Sequence, residues 1–555
     1  MTSSPSRRTR PARDQGPARS RNRGQSPSQA QNPSQAQNPS QYKQSRGGPG
    51  RPRNAGRRAT RADPARRVAY DVLWAVDQRD AYANLLLPAL LRERGIEGRD
   101  AALATELTYG TLRGLQTYDA ILSQCSDRSP GDIDPPVRQV LRLGAHQLLA
   151  TRVASHAAVA TSVDLAKDVA GMRPAGFVNA VLRRVSTRTQ AEWLEIIAPD
   201  RATDPIGYLA ATCSYPRWIV EAFRAALGEE PAGGLPETGA ALAAGNVRPR
   251  ITLAALPGLA DPKELIGEGA AEPAEPARWS PFGVILHGGD PAAIPAVAEG
   301  RAFVQDEASQ LAALALAHAP LAGPAATAPG SFPGPWLDLC AGPGGKSAVL
   351  AAVARRVMPR GTPAVPLAPA EVHLVASDVR PHRAELTRAH LRHLPGAAVV
   401  AADGRAGAWR PGTFDRVLAD VPCSGLGALR RRPEARWRKS PEDVEELSTL
   451  QRALLHAAID TARPGGVIAY VTCSPHRAET HDVLRDVLAS RTDVAVLDAP
   501  TILADALHNA SGAAAEIPGL RSPDPDASYA QFWPHRHGTD AIFLALLRRT
   551  PAAPQ

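Results

Sequence analysis

Two of the five cysteines stand in turn-forming strings at the ends of apolar runs: Cys423 in "LADVPCSGLG" and Cys473 in "YVTCSP". A lone cysteine at a strand end behaves as a small inert hydrophobe. Two of them, each beside Pro and Ser and each closing a run that reads as a strand, should face one crevice. No metal-ligand spacing surrounds them, so they suit a nucleophile and a helper. A thiol-exchange pair is the other possibility, but no CxxC supports it. Asp420 closes the same run as Cys423.

A second candidate is "WLDLCAGPGGKS", Trp336 to Ser347. Its right half has the outline of a phosphate loop, G-x-x-x-x-G-K-[ST]. That motif needs glycine at 340, where Cys340 stands, and its absence disfavours a nucleotide hydrolase. The other reading is a strand, then Asp338, then a turn of Cys340, Ala341, Gly342, Pro343, Gly344, Gly345 and Lys346 opening a helix. Doubly wound folds hold adenosine-containing cofactors in this way. The next strand ends at Asp378, suited to ribose hydroxyls. It lies about 35 residues beyond the turn rather than the usual ~20; "PRGTPAVPLAPAEV" (359–372) reads as an inserted loop that makes up the difference. A third strand ends at Asp403, placed to accept from an adenine amino group. One strand-end Asp is commonly a helix cap. Three in successive strands point to a ligand.

These residues need a scaffold that brings strand ends together. After 335, apolar runs ("PWLDLC", "EVHLVASD", "AAVVAADG", "FDRVLAD", "GVIAYVTCS", "DAIFLALLRR") alternate with helical stretches. That pattern implies a parallel sheet covered on both faces, an α/β Rossmann-like domain spanning 335–550, with ligands beyond the strand C-termini. From 62 to 204 the apolar spacing is helical throughout; in "RRVAYDVLWAVDQ", Val68, Val72, Leu73 and Val76 share a face. This predicts an all-α unit. Residues 205–334 read as an intermediate α+β region: an amphipathic helix in "PRWIVEAFRAALG", a strand in "RPRITLAAL", a turn into a helix in "FVQDEASQLAALALA", then a linker over 319–334.

Charge is distributed unevenly. Residues 1–60 hold 13 Lys and Arg against one acid, a net of +12, leaving the other 495 at −3 for a whole-chain +9. With few apolar residues, 1–61 reads as a disordered basic tail, either a solvating segment or a salt-sensitive RNA tether. The scattered cysteines suggest a reducing cytoplasm, and no membrane span or secretory signal is expected. The run "LRRRPEARWRK" (429–439) could grip phosphates beside the site.

Taken together, "LDLCAGPGGKS", "SDVRPHR", "ADGR", "LADVPCSGLGALRRRPEARWR" and "YVTCSP" resemble the bacterial 16S rRNA (cytosine-C5)-methyltransferases of RsmB/Sun/Fmu type. The 62–204 region resembles their NusB-like RNA-binding domain; "FVQDEASQ" and "QFWPHRHGTDAIFLALLRR" resemble their entry segment and closing strand. The resemblance implies S-adenosylmethionine over residues 340–346, with Asp378 on the ribose, Asp403 near the adenine and Asp420 beside it. It implies Cys473 as the nucleophile toward cytosine C6, Cys423 as an aid to its release, Asp420 at the N3 edge of the base, and Lys346 orienting Asp420 or the base. In DNA cytosine-5 methyltransferases the Pro-Cys cysteine attacks; in the RNA enzymes it is the Thr-Cys one, and the presence of both favours RNA. The partner implied is small-subunit rRNA, bound by a cytoplasmic monomer. A tRNA substrate, or a non-catalytic antitermination-like protein, are the alternatives; the intact cysteine pair argues against the second. The family's Glu-Asn pair after the Thr-Cys motif stands here as Glu479-Thr480. His535 and His537 have the spacing of a metal pair but read better as part of the closing loop.

Overall fold

Asp63 opens the first helix by accepting the Arg66 N–H at 3.0 Å, with proline at the first helical position. The computed structural model describes residues 62–266, 273–323, 334–354, 374–511, 516–523 and 528–551. The basic tail, the inserted loop at 359–372 and most of the 319–334 linker lie outside them. Among the described residues, helices follow one another from Pro64 to Asn246. Val68, Val72, Leu73 and Val76 are all buried, as their spacing requires. The helices up to Ile197 share one apolar core. Those at Pro205–Cys213, Arg217–Leu227 and Pro236–Asn246 instead build a core with Leu426, Leu429, Trp533 and Ala541 of the C-terminal region. Among the described residues no helix is long and apolar enough to cross a membrane.

A small antiparallel sheet follows: β1 (Ile251–Ala255), β2 (Ala274–Pro276), β3 (Gly283–Leu286) and β4 (Ala302–Val304), in the order β2-β3-β1-β4. It leads into the helix Glu307–His318, which Asp306 caps. That helix is buried along most of its length, because it covers one face of the large sheet beside the helix Gly345–Ala354.

The large sheet has eight strands: β5 (Trp336–Asp338), β6 (Leu374–Asp378), β7 (Ala397–Ala401), β8 (Phe414–Asp420), β9 (Ala462–Thr472), β10 (Val494–Leu497), β11 (Ala530–Gln531) and β12 (Phe543–Arg549). Their order is β10-β12-β9-β8-β5-β6-β7, with β11 pairing to β12. Helices cover both faces; Pro441–Thr461 and His481–Ala489 form the second layer. The five strands β5 to β9 are parallel. The sheet as a whole is mixed rather than parallel, since β12 runs antiparallel between β9 and β10. Strand sense follows from connectivity, which an apolar run does not encode. β10 and β11 are four and two residues long, too short for a periodic signal. Chain order reverses between β5 and β8, the first leading outward to β6 and β7 and the second to β9. The crevice beyond their C-terminal ends is where a doubly wound sheet holds ligands.

Candidate active site

The Gly-rich turn leaves β5 at that crevice. Asp338, buried at the strand end, accepts the Ser347 hydroxyl at 2.6 Å and so ties β5 to the helix Gly345–Ala354. Burial raises its pKa to about 7, against the opposing pull of the Ser347 hydrogen bond. Ala341 donates its N–H to the Ser377 carbonyl at 2.7 Å, and Gly342 donates to Asp378 Oδ2 at 3.2 Å. The Arg383 guanidinium reaches the Gly342 carbonyl. A Cβ on Gly342 would lie 2.3 Å from the Asp378 carboxylate, and Gly344 has φ +107°, so both positions need glycine. His390 Nδ1 lies 2.5 Å from the Pro343 carbonyl. Cys340 packs against the core beside β5, and burial pushes its thiol far above the usual range. Its side chain is a packed one at the end of β5, away from the contact between Cys423 and Cys473.

β8 and β9 are neighbours in register, Asp420 opposite Val471, so the loops leaving them meet. Cys423 Sγ and Cys473 Sγ stand 3.0 Å apart, both as free thiols. The hydrogen bond with Cys473, reinforced by burial, pushes the Cys423 thiol well above its ordinary value. Lys346, at the start of the helix after the Gly-rich turn, donates to Asp420 Oδ2 at 2.7 Å. Burial works against its ammonium, but the Asp420 carboxylate more than offsets this and the pKa lies above the usual lysine value. Lys346 is thus a largely buried ion-pair partner of Asp420. Gly427 fixes the Pro-Cys loop in place: its N–H donates to the Cys473 carbonyl and its carbonyl accepts the Ala541 N–H, both at 2.9 Å. A Cβ there would fall 1.9 Å from the Ala541 oxygen.

The structure places Asp378 beside the turn, buried, each carboxylate oxygen accepting one backbone N–H, from Gly342 and Arg380. Asp403 follows β7 and takes the Arg405 guanidinium on both oxygens, at 3.0 and 2.7 Å. That pair holds its carboxyl down at about 2. Glu479, marked by the resemblance only as half of a family pair, makes contacts that its place in the sequence does not reveal. Fully buried, it accepts the Ser424 N–H at 2.7 Å and the Gln451 side-chain amide at 3.1 Å. Thr480, in the place of the family's Asn, is also buried and donates to the His476 carbonyl at 3.0 Å.

The basic run 429–439 needs correction. Arg430 and Arg431 are engaged by Asp306 and Asp540 in a buried cluster. Arg436 has no exposed surface and donates to the carbonyls of Arg113, Ser214 and Gly245 and to the Tyr215 hydroxyl. Arg438 donates to the carbonyls of Val76, Asp80 and Ala81. Arg436 and Arg438 hold the helical region against the C-terminal fold, while Arg430 and Arg431 join the segment before the helix Glu307–His318 to the C-terminal loop, so the donors of all four serve the protein itself. Arg432 remains exposed. His537 accepts the Trp533 N–H on Nδ1 and faces the Pro518 carbonyl with Nε2, a pattern that closes the C-terminal loop; burial lowers its pKa to about 4.

Comparison with known proteins identifies the two parts of the chain. Residues 331–548 match the family model described as 16S rRNA methyltransferase RsmB/F, and residues 63–187 match the NusB family. The chain is 47% identical over 498 residues to a putative methyltransferase of Mycobacterium tuberculosis, covering 90% of this chain and 99% of that one. It is 31% identical over 450 residues to ribosomal RNA small subunit methyltransferase B of Pseudomonas putida, covering 79% and 91%. The crystal structure of PH0851 shares the fold, with a TM-score of 0.65 at 21% identity, covering 89% of this chain and 100% of that one. Built on a Rossmann-like catalytic sheet behind a NusB-family domain, the chain belongs to the RsmB/F family of 16S rRNA methyltransferases, RNA methyltransferases that use S-adenosylmethionine.

Proposed function

We propose that the protein transfers a methyl group from S-adenosylmethionine to C5 of a cytosine in small-subunit rRNA, through a covalent bond between Cys473 and C6 of the base. The observation that carries this reading is the thiol pair at 3.0 Å, set beside the Lys346–Asp420 pair where β5 and β8 diverge. The family match and the names of the relatives support ribosomal RNA as the substrate class.

The residues fit the cofactor. The turn over 340–346 presents bare backbone at the start of a helix, with Asp378 at the end of the next strand and Asp403 just after the one beyond it. Residues 340–346 would hold the amino-acid portion, Asp378 the ribose and Asp403 the adenine edge, with Asp420 at the boundary between cofactor and base. The backbone and Arg405 hydrogen bonds use only part of the acceptor capacity of Asp378 and Asp403. When bound, the cofactor supplies a methyl group on a sulfonium centre.

Cytosine C5 is too weak a nucleophile to take that methyl directly. The Cys473 thiolate adds to C6 and turns the ring into an enamine, whose C5 can attack. Asp420, oriented by Lys346, faces the N3 edge, and the Lys346 ammonium paired with it offsets the negative charge that builds there. After transfer, solvent takes the C5 proton, its electron pair restores the C5–C6 double bond, and the C6–S bond breaks to release the Cys473 thiolate. Cys423, 3.0 Å from the departing sulfur, assists this release. The target base must leave its stack to reach the crevice.

Cys473→Ala is expected to reduce methyl transfer by about three orders of magnitude or more. Cys423→Ala is expected to accumulate an RNA–protein adduct that survives denaturing gels. Retained activity in the first variant and no adduct in the second would show the roles to be wrongly assigned. Mapping 5-methylcytosine in rRNA from a deletion strain tests the substrate.

A further inference from the structure

Glu479 is a buried carboxyl group with no cation against it among the described residues. Its side-chain partners are all donors: the Ser424 N–H at 2.7 Å, the Ser424 hydroxyl, and the Gln451 amide at 3.1 Å. Placing such a group in the interior is costly unless its hydrogen bonds are made, and here they are made to the residue directly after Cys423. The same Gln451 amide also donates to the Pro422 carbonyl at 2.8 Å, the residue directly before Cys423. The peptide is therefore held on both sides of Cys423 by one short network. The network reaches the other cysteine too. Tyr470, on β9 three residues before Cys473, donates its hydroxyl to the Glu479 carbonyl at 2.7 Å, and the Ser424 and Ser474 hydroxyls lie 3.2 Å apart. Glu479 is thus fastened to the strand that carries one cysteine and holds the loop that carries the other.

We propose that Glu479 is a positioning residue for Cys423, setting its sulfur against Cys473 for the release half of the reaction while leaving adduct formation to Cys473, Asp420 and Lys346. This rests on the cysteine roles given above. The division of labour follows from the contacts: Glu479 touches the Pro-Cys loop, whereas Lys346 and Asp420 hold each other without it. The field of Glu479 also adds to the forces that keep the Cys423 thiol protonated.

The test is Glu479→Gln in the full-length enzyme, incubated with substrate RNA and S-adenosylmethionine, with Cys423→Ala in parallel. An amide in place of the carboxylate removes the charge and one acceptor oxygen, so the Ser424 hydroxyl loses its acceptor on residue 479 and the hold on the loop weakens. Single-turnover methyl transfer should stay within about threefold of wild type, while multiple turnover falls about tenfold or more. The adduct seen on denaturing gels should accumulate as it does for Cys423→Ala. In the double variant the adduct level should match Cys423→Ala alone, because one residue acts through the other. Glu479→Gln turning over like wild type without adduct overturns the proposal. So does loss of single-turnover transfer with no adduct. Should Cys423→Ala itself give no adduct, the cysteine assignment fails first, and the two failures are told apart. If melting shows that Glu479→Gln does not fold, Ser424→Ala, which removes the hydroxyl contacts with Glu479 and Ser474 from the same network, carries the same expectations.

Discussion

Asp338 is a residue whose chemistry can be read in stability rather than in rate. Its folded pKa of about 7 stands well above the ~4 of a free carboxyl group. The folded state therefore binds a proton that the unfolded state releases. The stabilising effect of that proton is complete below about pH 4 and is lost as pH rises through about 7. Asp338→Asn, which keeps an acceptor for Ser347, should remove this dependence. Melting temperatures taken from pH 5 to 8 should shift in favour of the variant as pH rises; parallel curves would refute the assignment. At this scale the cysteine pair, Asp420 and Lys346 were legible because each sits in a short string at a strand end. Glu479 was not. Its main partner, Ser424, lies 55 residues away, and no local pattern marks a buried acid that holds a distant loop. The arginines of 429–439 were misread for a related reason, since residue type does not tell a guanidinium that grips phosphate from one that caps buried carbonyls.

Between elements, Arg436 is the clearest joint. It stacks 3.6 Å from the Tyr215 ring centroid while its donors serve carbonyls from three separate helix ends. Removing it leaves those carbonyls buried and unpaired. Arg436→Ala should cost about 3 kcal/mol or more. It should also split denaturant unfolding into two steps, with the helical region melting first; a single transition at the wild-type midpoint would contradict this. The helices and the longer strands were visible in the sequence because each carries its own apolar period. The mixed sense of the sheet was not, because it depends on how β9, β10 and β12 are connected.

For the whole molecule, charge separates the chain into a +12 segment over residues 1–60 and a remainder at −3. A basic segment acts on RNA by displacing counterions. Deleting residues 1–60 should therefore weaken RNA binding strongly at low salt and little at high salt, and should flatten the slope of log affinity against log salt. An unchanged slope would leave the segment without a part in binding. The order of the strands has a further consequence, in time rather than space. β9, which delivers Cys473, has β8 on one side and β12 on the other, and β12 is made 71 residues after β9 ends. During synthesis the NusB-family helices can fold as soon as they emerge, since their core is their own. The catalytic sheet cannot: until Phe543–Arg549 arrive, β9 has a bare edge of apolar strand that invites pairing with another chain. The nascent enzyme is therefore most exposed to misassociation just before Cys473 is locked into place.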